Sequence, residues 1–311
     1  MLPFKNAVLN PEREIFVLVD ANSWVHSCFH ACSPMKDAKG VDQRVLSGML
    51  AMLSSLPNHL PRIDYLMTVF DPPDGDLYRK SKFSAYKANR PPQDVEMHRQ
   101  KRDAMHVFRN ILGIPDLTYS GYEADDIIGS ASKIISKEIQ VVIVSIDKDL
   151  AQLVTNEIYL MRRIKTKDFK GYQFLDPMIV KDEFGVHPIQ IPDYLALMGD
   201  TADNLPGLDK VGPKKAAKII SNHLSIDNIL RNPSMIEDNN IREQILASHE
   251  TLKMVRELAT IHVDLPLGSF IDQSLDYSSN IRGSHKFRDN LNKAENYFRW
   301  TPGLKDMFIF D

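Results

Sequence analysis

Cysteine is almost absent from this sequence. Cys28 and Cys32 are the only two in 311 residues, too few for a disulfide framework, which points to a reducing compartment. Long apolar runs are missing too, and none approaches the roughly eighteen residues of a membrane-spanning helix. The N-terminal MLPFKNAVLNPER has no apolar core of signal-peptide length. Low-complexity tracts, coiled-coil heptads, internal repeats and long linkers are also absent. These absences predict a soluble intracellular chain and argue against a membrane protein or a disulfide-stapled secreted one. What is present is ordinary in bulk: 43% hydrophobic and 25% charged residues, enough to bury a real core in one large or two ordinary domains.

A strong excess of positive charge is lacking as well. The formal net charge is −3, which does not advertise a nucleic-acid binder. The distribution is uneven, however. Between residues 78 and 109, Arg79, Lys80, Lys82, Lys87, Arg90, Arg99, Lys101, Arg102 and Arg109 face only Asp94, Glu96 and Asp103. Clustered bases beside clustered acids suit an anionic substrate held over bound metal, although a solvated charged helix gives the same pattern.

Three short β-branched runs end in acids: IFVLVD (15–20), DYLMTVFD (64–71) and VVIVSIDKD (141–149). Each reads as a buried strand, with helices expected at 22–32, 43–56, 93–111 and 123–138. Alternating strands and helices predict an α/β fold with a mostly parallel, doubly wound sheet, helical from about residue 176 onward. Ligands of such sheets bind beyond the carboxyl ends of the strands, where Asp20, Asp71, Asp147 and Asp149 fall.

The stretch GYEADDIIGS adds Glu123, Asp125 and Asp126 at a helix start. One acid suits the free amides and dipole there, but three repel one another unless a cation is present. Asp147 and Asp149 share a face if the segment is extended, with Lys148 turned away. Asp200 and Asp203 are neighbours on a helical turn. Singly, such pairs are unspecific, since most are caps or surface salt bridges. Jointly they give nine acids without histidine or cysteine, an all-oxygen set that suits Mg²⁺ or Mn²⁺. Two such ions about 3.5–4 Å apart are a standard device for cleaving phosphodiesters.

The segment FSAYKANRPP supplies a complement: Tyr86 to stack on a base, Lys87 and Arg90 to grip phosphate or stabilise a transition state. The VGPKK turn, with Gly212, Lys214 and Lys215, offers backbone amides and charge to a DNA backbone, though it is also simply a good helix start. HSCFHAC mimics a zinc site, but its His and Cys pairs lie on different helix faces beside core-type residues. The many methionines read as core filler.

With these residues in place, the chain resembles the 5′-nuclease domain of bacterial DNA polymerase I, of the flap endonuclease and 5′–3′ exonuclease superfamily. The matching blocks are FVLVD, VFD followed by YR and YKANRPP, GYEADDIIG, SIDKDLAQLV, YLALMGDTADNLPGLDKVGPKKA, LATIHVDLPL and YFRWTP. No polymerase or proofreading segment follows, so a free-standing nuclease is expected. The resemblance implies a PIN-like nuclease core over 1–180 with a helical arch at about 74–110. It implies a helical region over 181–311, with a helix–hairpin–helix at about 205–220 that grips duplex DNA, with a possible K⁺ in its turn. One metal cluster would use Asp71, Glu123, Asp125 and Asp126, and a second Asp147, Asp149, Asp200 and Asp203, with Asp20 completing the floor. Tyr86, Lys87 and Arg90 fall on the arch motif, and Arg79 on a substrate-contacting arginine.

One departure stands out: His26-Ser27 replaces an aromatic–arginine pair, which removes a phosphate contact and spares the metal ligands. The implied activity is cleavage of 5′ flaps and of 5′ ends in duplex DNA or RNA–DNA hybrids, by a monomer in the cytoplasm. That setting would be the nucleoid or an infected bacterial cell, alongside a separate DNA polymerase or replication proteins. Two rivals stay open at this point, a PIN-type ribonuclease and a junction-binding module without catalysis. A phosphatase on a similar sheet would leave the Tyr86–Arg90 block without a role.

Overall fold

A computed structural model describes residues 7–278 apart from 38, 74–76, 93 and 166–169. The YFRWTP block and the part of the expected helical region beyond residue 278 lie outside the described residues.

Six strands form one sheet: β1 (Ile15–Asp20), β2 (Tyr65–Val69), β3 (Asp116–Leu117), β4 (Gln140–Val144), β5 (Ile158–Lys165) and β6 (Lys170–Leu175), in the order 3-2-1-4-5-6. All neighbours are parallel except β5 and β6, so the mostly parallel sheet expected from the sequence is present. β1 is central and buried throughout, which is why its six residues are an unbroken apolar run up to Asp20. Its side chains alternate between two cores. Ile15, Val17 and Val19 pack with Trp24, Leu46, Met49 and Phe108 on one face. Phe16 and Leu18 pack with Ile127, Ile128, Leu195 and Val255 on the other.

The helices of the first part are α1 (Ala21–Ala31), α2 (Arg44–Ser55), α3 (Tyr78–Lys82), α4 (Val95–His106) and α5 (Ala124–Ile135). Asp20 caps α1 by accepting from the Ser23 amide, and Asp94 caps α4 by accepting from the Glu96 amide. The expected helix over 93–111 is therefore real, but its last turn, Val107–Ile111, widens to a π-helix. Helices then dominate: α6 (Pro177–Phe184), α7 (Ile191–Met198), α8 (Pro213–His223), α9 (Ile226–Arg231), α10 (Asn239–Ala247), α11 (His249–Ala259) and α12 (Gly268–Ser278). Among the described residues, no helix is long and apolar enough to cross a membrane.

Three strands escaped the sequence reading. β3 has only two residues, and β5 and β6 form an edge hairpin whose IYLMRRIK and KGYQFL mix basic and apolar positions. A hairpin at the margin of a sheet has no need of a continuous apolar run.

Candidate active site

The strand order reverses between β1 and β4, and the exits of these two strands form the floor of the site. Asp20 ends β1 and accepts the Ser145 hydroxyl at 2.5 Å, so one serine after β4 ties the two exits together. The same hydroxyl accepts from the Asp147 amide at 3.0 Å, and Asp147 Oδ1 accepts from the Asp149 amide at 2.9 Å. The DKD segment is thus a folded turn, not the extended strand expected, and Asp149 opens a 3₁₀ turn. Asp71, just past β2, accepts from the Ala124 amide at 2.8 Å and so fixes the first turn of α5 against the β2 exit.

The acids of this floor feel one another. Burial pushes Asp20 up to about 6, and the charges of Asp147 and Asp71 add to it against the Ser145 and Ser23 hydrogen bonds. Burial also holds Asp125 well above the usual carboxylate range, with Asp147 and Asp20 contributing. Asp147 is raised by burial and by Asp203. Burial, then Asp147, Asp200 and Asp203, push Asp149 up to about 7, while Lys148 opposes the shift. Carboxylates from widely separated segments therefore share one electrostatic neighbourhood.

They do not form a closed cage. Among the described residues, no three Asp, Glu, His or Cys side chains gather tightly enough to hold an ion as they stand. Several acids are instead engaged by the chain's own cations. Arg79 pairs with both Asp126 oxygens at 2.6 and 2.8 Å and with Glu123 at 3.1 Å, and donates to the carbonyls of Leu258 and Thr260. Burial opposes the Arg79 charge, but Asp126 and Glu123 outweigh it and raise its pKa. Asp126 also accepts from the Glu123 and His262 amides. Its carboxylate is saturated, so Asp126 braces the site from behind, apart from the expected ligand set.

The Tyr86–Arg90 turn docks onto residues 200–204. The Lys87 amide donates to the Asp203 carbonyl at 3.0 Å, Asn89 to Thr201 at 2.6 Å, and Asn204 back to Ala85 at 2.7 Å. The Tyr86 hydroxyl sits 2.9 Å from Glu123 and 2.8 Å from Asp203. Lys87 bonds Glu123 and lies 3.7 Å from Asp203, while Arg90 reaches Asp203 at 2.7 Å. Across the floor, Lys148 lies 3.6 Å from Asp200 rather than turning away.

Three expectations change as a result. Arg79 is 4% exposed and Tyr86 2%, so neither is placed to touch DNA or stack on a base. The 200–203 pair is not on a helical turn: a bridge from Asp200 to Leu205 closes a loop that sends Asp200 toward Lys148 and Asp203 toward Arg90. The described part of 74–110 does not stand off as an arch, because α4 is seated on α2, with Gln100 accepting from the Val45 amide at 3.0 Å. Ser145, Asn89 and Asn204 went unread in the sequence. Only the position of Ser145, two residues before Asp147, could have singled it out.

α7, residues 199–212 and α8 make the expected helix–hairpin–helix outline. Gly207 has no room for a side chain, since a Cβ there would lie 2.3 Å from the Met198 carbonyl group. Gly212 caps α8 ahead of Pro213. Lys214 is exposed, and Lys215 lies 3.7 Å from Asp238.

Residues 15–185 match the family model described as 5′-3′ exonuclease, N-terminal resolvase-like domain, and 186–282 match 5′-3′ exonuclease, C-terminal SAM fold. The chain belongs to the 5′–3′ exonuclease family. This exonuclease is 36% identical over 254 residues to the 5′-3′ exonuclease of Aquifex aeolicus, covering 80% of this chain and 82% of that relative. It is 35% identical to DNA polymerase I of Pseudomonas aeruginosa over 83% of this chain but only 28% of the polymerase. Its fold is similar to that of the T5 D15 protein co-crystallised with metal ions: TM-score 0.66 and 18% identity, over 91% of this chain and all of the other. The catalytic core of Rad2 in complex with DNA substrate is similar at a TM-score of 0.54 and 16% identity, over 89% of this chain and 94% of that one. The protein is a nuclease on a PIN-like, mostly parallel sheet with a SAM-like helical part.

Proposed function

We propose that this exonuclease is a divalent-metal-dependent, structure-specific 5′ nuclease. It cleaves 5′ flaps near the single-strand/duplex junction and degrades 5′ ends of duplex DNA or RNA–DNA hybrids, leaving 5′-phosphate and 3′-hydroxyl products. The observation that carries the reading is the floor at the strand ends, where Asp20, Asp125, Asp147 and Asp149 come together from three strand or helix ends, and burial first, then neighbouring carboxylates, raises the pKa of each. Buried oxygen donors held in mutual repulsion fit hard cations such as Mg²⁺ or Mn²⁺.

Asp20, Asp71, Asp125 and Asp147 would hold one ion, and Asp147, Asp149, Asp200 and Asp203 a second. When bound, such ions activate water and neutralise charge on the phosphate. The protein does the rest. Lys87 and Arg90, released from Glu123 and Asp203, turn to the phosphate and stabilise its developing charge. Glu123 and Asp126 keep their places through Arg79, which fixes the first turn of α5. Gly212, Lys214 and Lys215 hold the duplex backbone away from the chemistry. K⁺ in the 207–212 turn belongs to this reading on resemblance alone, as do action as a monomer, a separate polymerase partner and the division near residue 180.

The test is cleavage of a labelled 5′-flap DNA in Mg²⁺ or EDTA by wild type and Asp149→Asn. Wild type should cut only with Mg²⁺, and the substitution should nearly abolish cutting while leaving binding largely intact. A flap built entirely of RNA and cut faster than the DNA version would favour a ribonuclease. Tight binding with no Mg²⁺-dependent cutting would favour a junction-binding module.

A further inference from the structure

α4 presents three bases close together, and their fates differ. Arg99 is fully engaged by Glu96, Asp103 and the Asp42 carbonyl. Arg102 is exposed. Lys101 instead turns inward to the floor of the crevice. Its ammonium lies 3.5 Å from the Asp71 carbonyl and 5.7 Å from the centre of the Phe70 ring.

This ammonium lacks what the other cations of the site have. Arg79, Lys87, Arg90 and Lys148 each have a carboxylate within salt-bridge reach. Lys101 faces Asp71, but among the described residues no carboxylate comes within salt-bridge reach of its ammonium. Three N–H donors that share one long contact to a carbonyl are poorly satisfied for a partly buried cation. An anion arriving over the floor would satisfy them. The acids there cannot repel it once divalent ions are bound, and a nucleic-acid strand brings anions at regular spacing.

We infer that Lys101 is a substrate contact: its ammonium holds a backbone phosphate of the nucleic-acid strand above the Asp20–Asp71 half of the site. Lys87 and Arg90 approach from the 83–90 turn on the Glu123 and Asp203 side, so the strand is held between cations of two different elements. The inference rests on the nuclease reading above. It also places a positive charge on α4 near the start of α1, the helix on which Ser27 stands where the resemblance implies an arginine.

Lys101→Met keeps the aliphatic stem over Phe70 and removes the charge; Lys101→Arg keeps the charge. Both are compared with wild type for steady-state cleavage of a 5′-flap DNA in Mg²⁺, for flap binding in Ca²⁺ across a salt series, and for thermal unfolding. The expected result for Lys101→Met is a roughly tenfold or larger loss in kcat/KM, a salt-dependence slope reduced by about 1, and an unchanged Tm, with partial recovery in Lys101→Arg. A Lys101→Met enzyme with wild-type kcat/KM and slope overturns the inference. So does a loss that tracks a lowered Tm and is not recovered by arginine, which would make Lys101 a packing residue. If wild type binds the flap without cutting it, the catalytic reading fails separately, and the binding slope alone decides Lys101.

Discussion

At the scale of single residues, Arg79 shows how far a side chain's role depends on its surroundings. Its five donors are spread over two carboxylates and two carbonyls, and it joins α3, α5 and the C-terminal end of α11 in one buried knot. Removing one partner of a buried ion pair leaves the other charged and unpaired. Arg79→Ala should therefore lower stability by about 3–5 kcal/mol in urea or guanidinium denaturation, an effect too large for a surface DNA contact. A variant of wild-type stability with weakened DNA binding would return Arg79 to the substrate side of the site. Tyr86 has the same lesson on a smaller scale: burial first, then Glu123 and Asp203, raise the pKa of its phenol and keep it a neutral donor.

At the scale of elements, the proposed function gives the turn before α8 a part in binding and the docked 83–90 turn a part in chemistry. Lys214 stands exposed at the first turn of α8, on an apolar scaffold of Val211, Ala216, Ile219 and Ile220. Lys214→Ala should weaken binding to flap DNA of any sequence and lower the salt-dependence slope by about 1, with kcat at saturation unchanged. Binding titrations at several salt concentrations measure this, and an unaltered slope would remove the α8 start from the interface. The 83–90 turn differs in that Lys87 and Arg90 are held by Glu123 and Asp203. Its docking on 200–204 keeps the anionic floor partly neutralised by the chain itself.

At the scale of the whole molecule, the parallel sheet concentrates like charge at one edge, and that concentration costs stability unless a cation offsets it. Mg²⁺ should raise Tm: at about a hundred times its Kd, a ligand bound only by the folded state adds about 2.7 kcal/mol. EDTA should reverse the shift, and Asp149→Asn should blunt it. A scanning-fluorimetry Tm indifferent to Mg²⁺ would show that the crevice does not take the ion. Two helical layers of unlike content flank the sheet, with α1, α2 and α4 on one face and α5 with the C-terminal helices on the other. The site lies where the two layers meet the strand ends.

Much of this was written locally in the chain. Unbroken β-branched runs such as Ile15–Asp20 form buried strands because both faces of a central parallel strand are covered, and their closing aspartates fall at the strand ends, the edge at which sheets of this kind bind ligands. The start of α5 and the Gly212–Pro213 cap were legible because they depend on neighbours within one helical turn. The tertiary structure alone decided which acids stay open and which are claimed. Arg79 with Asp126, Arg90 with Asp203, Lys148 with Asp200 and Ser145 with Asp20 are each brought together from distant segments. Such pairings leave no trace in periodicity or composition, since they arise only when the sheet is assembled and burial makes a charge without a partner costly.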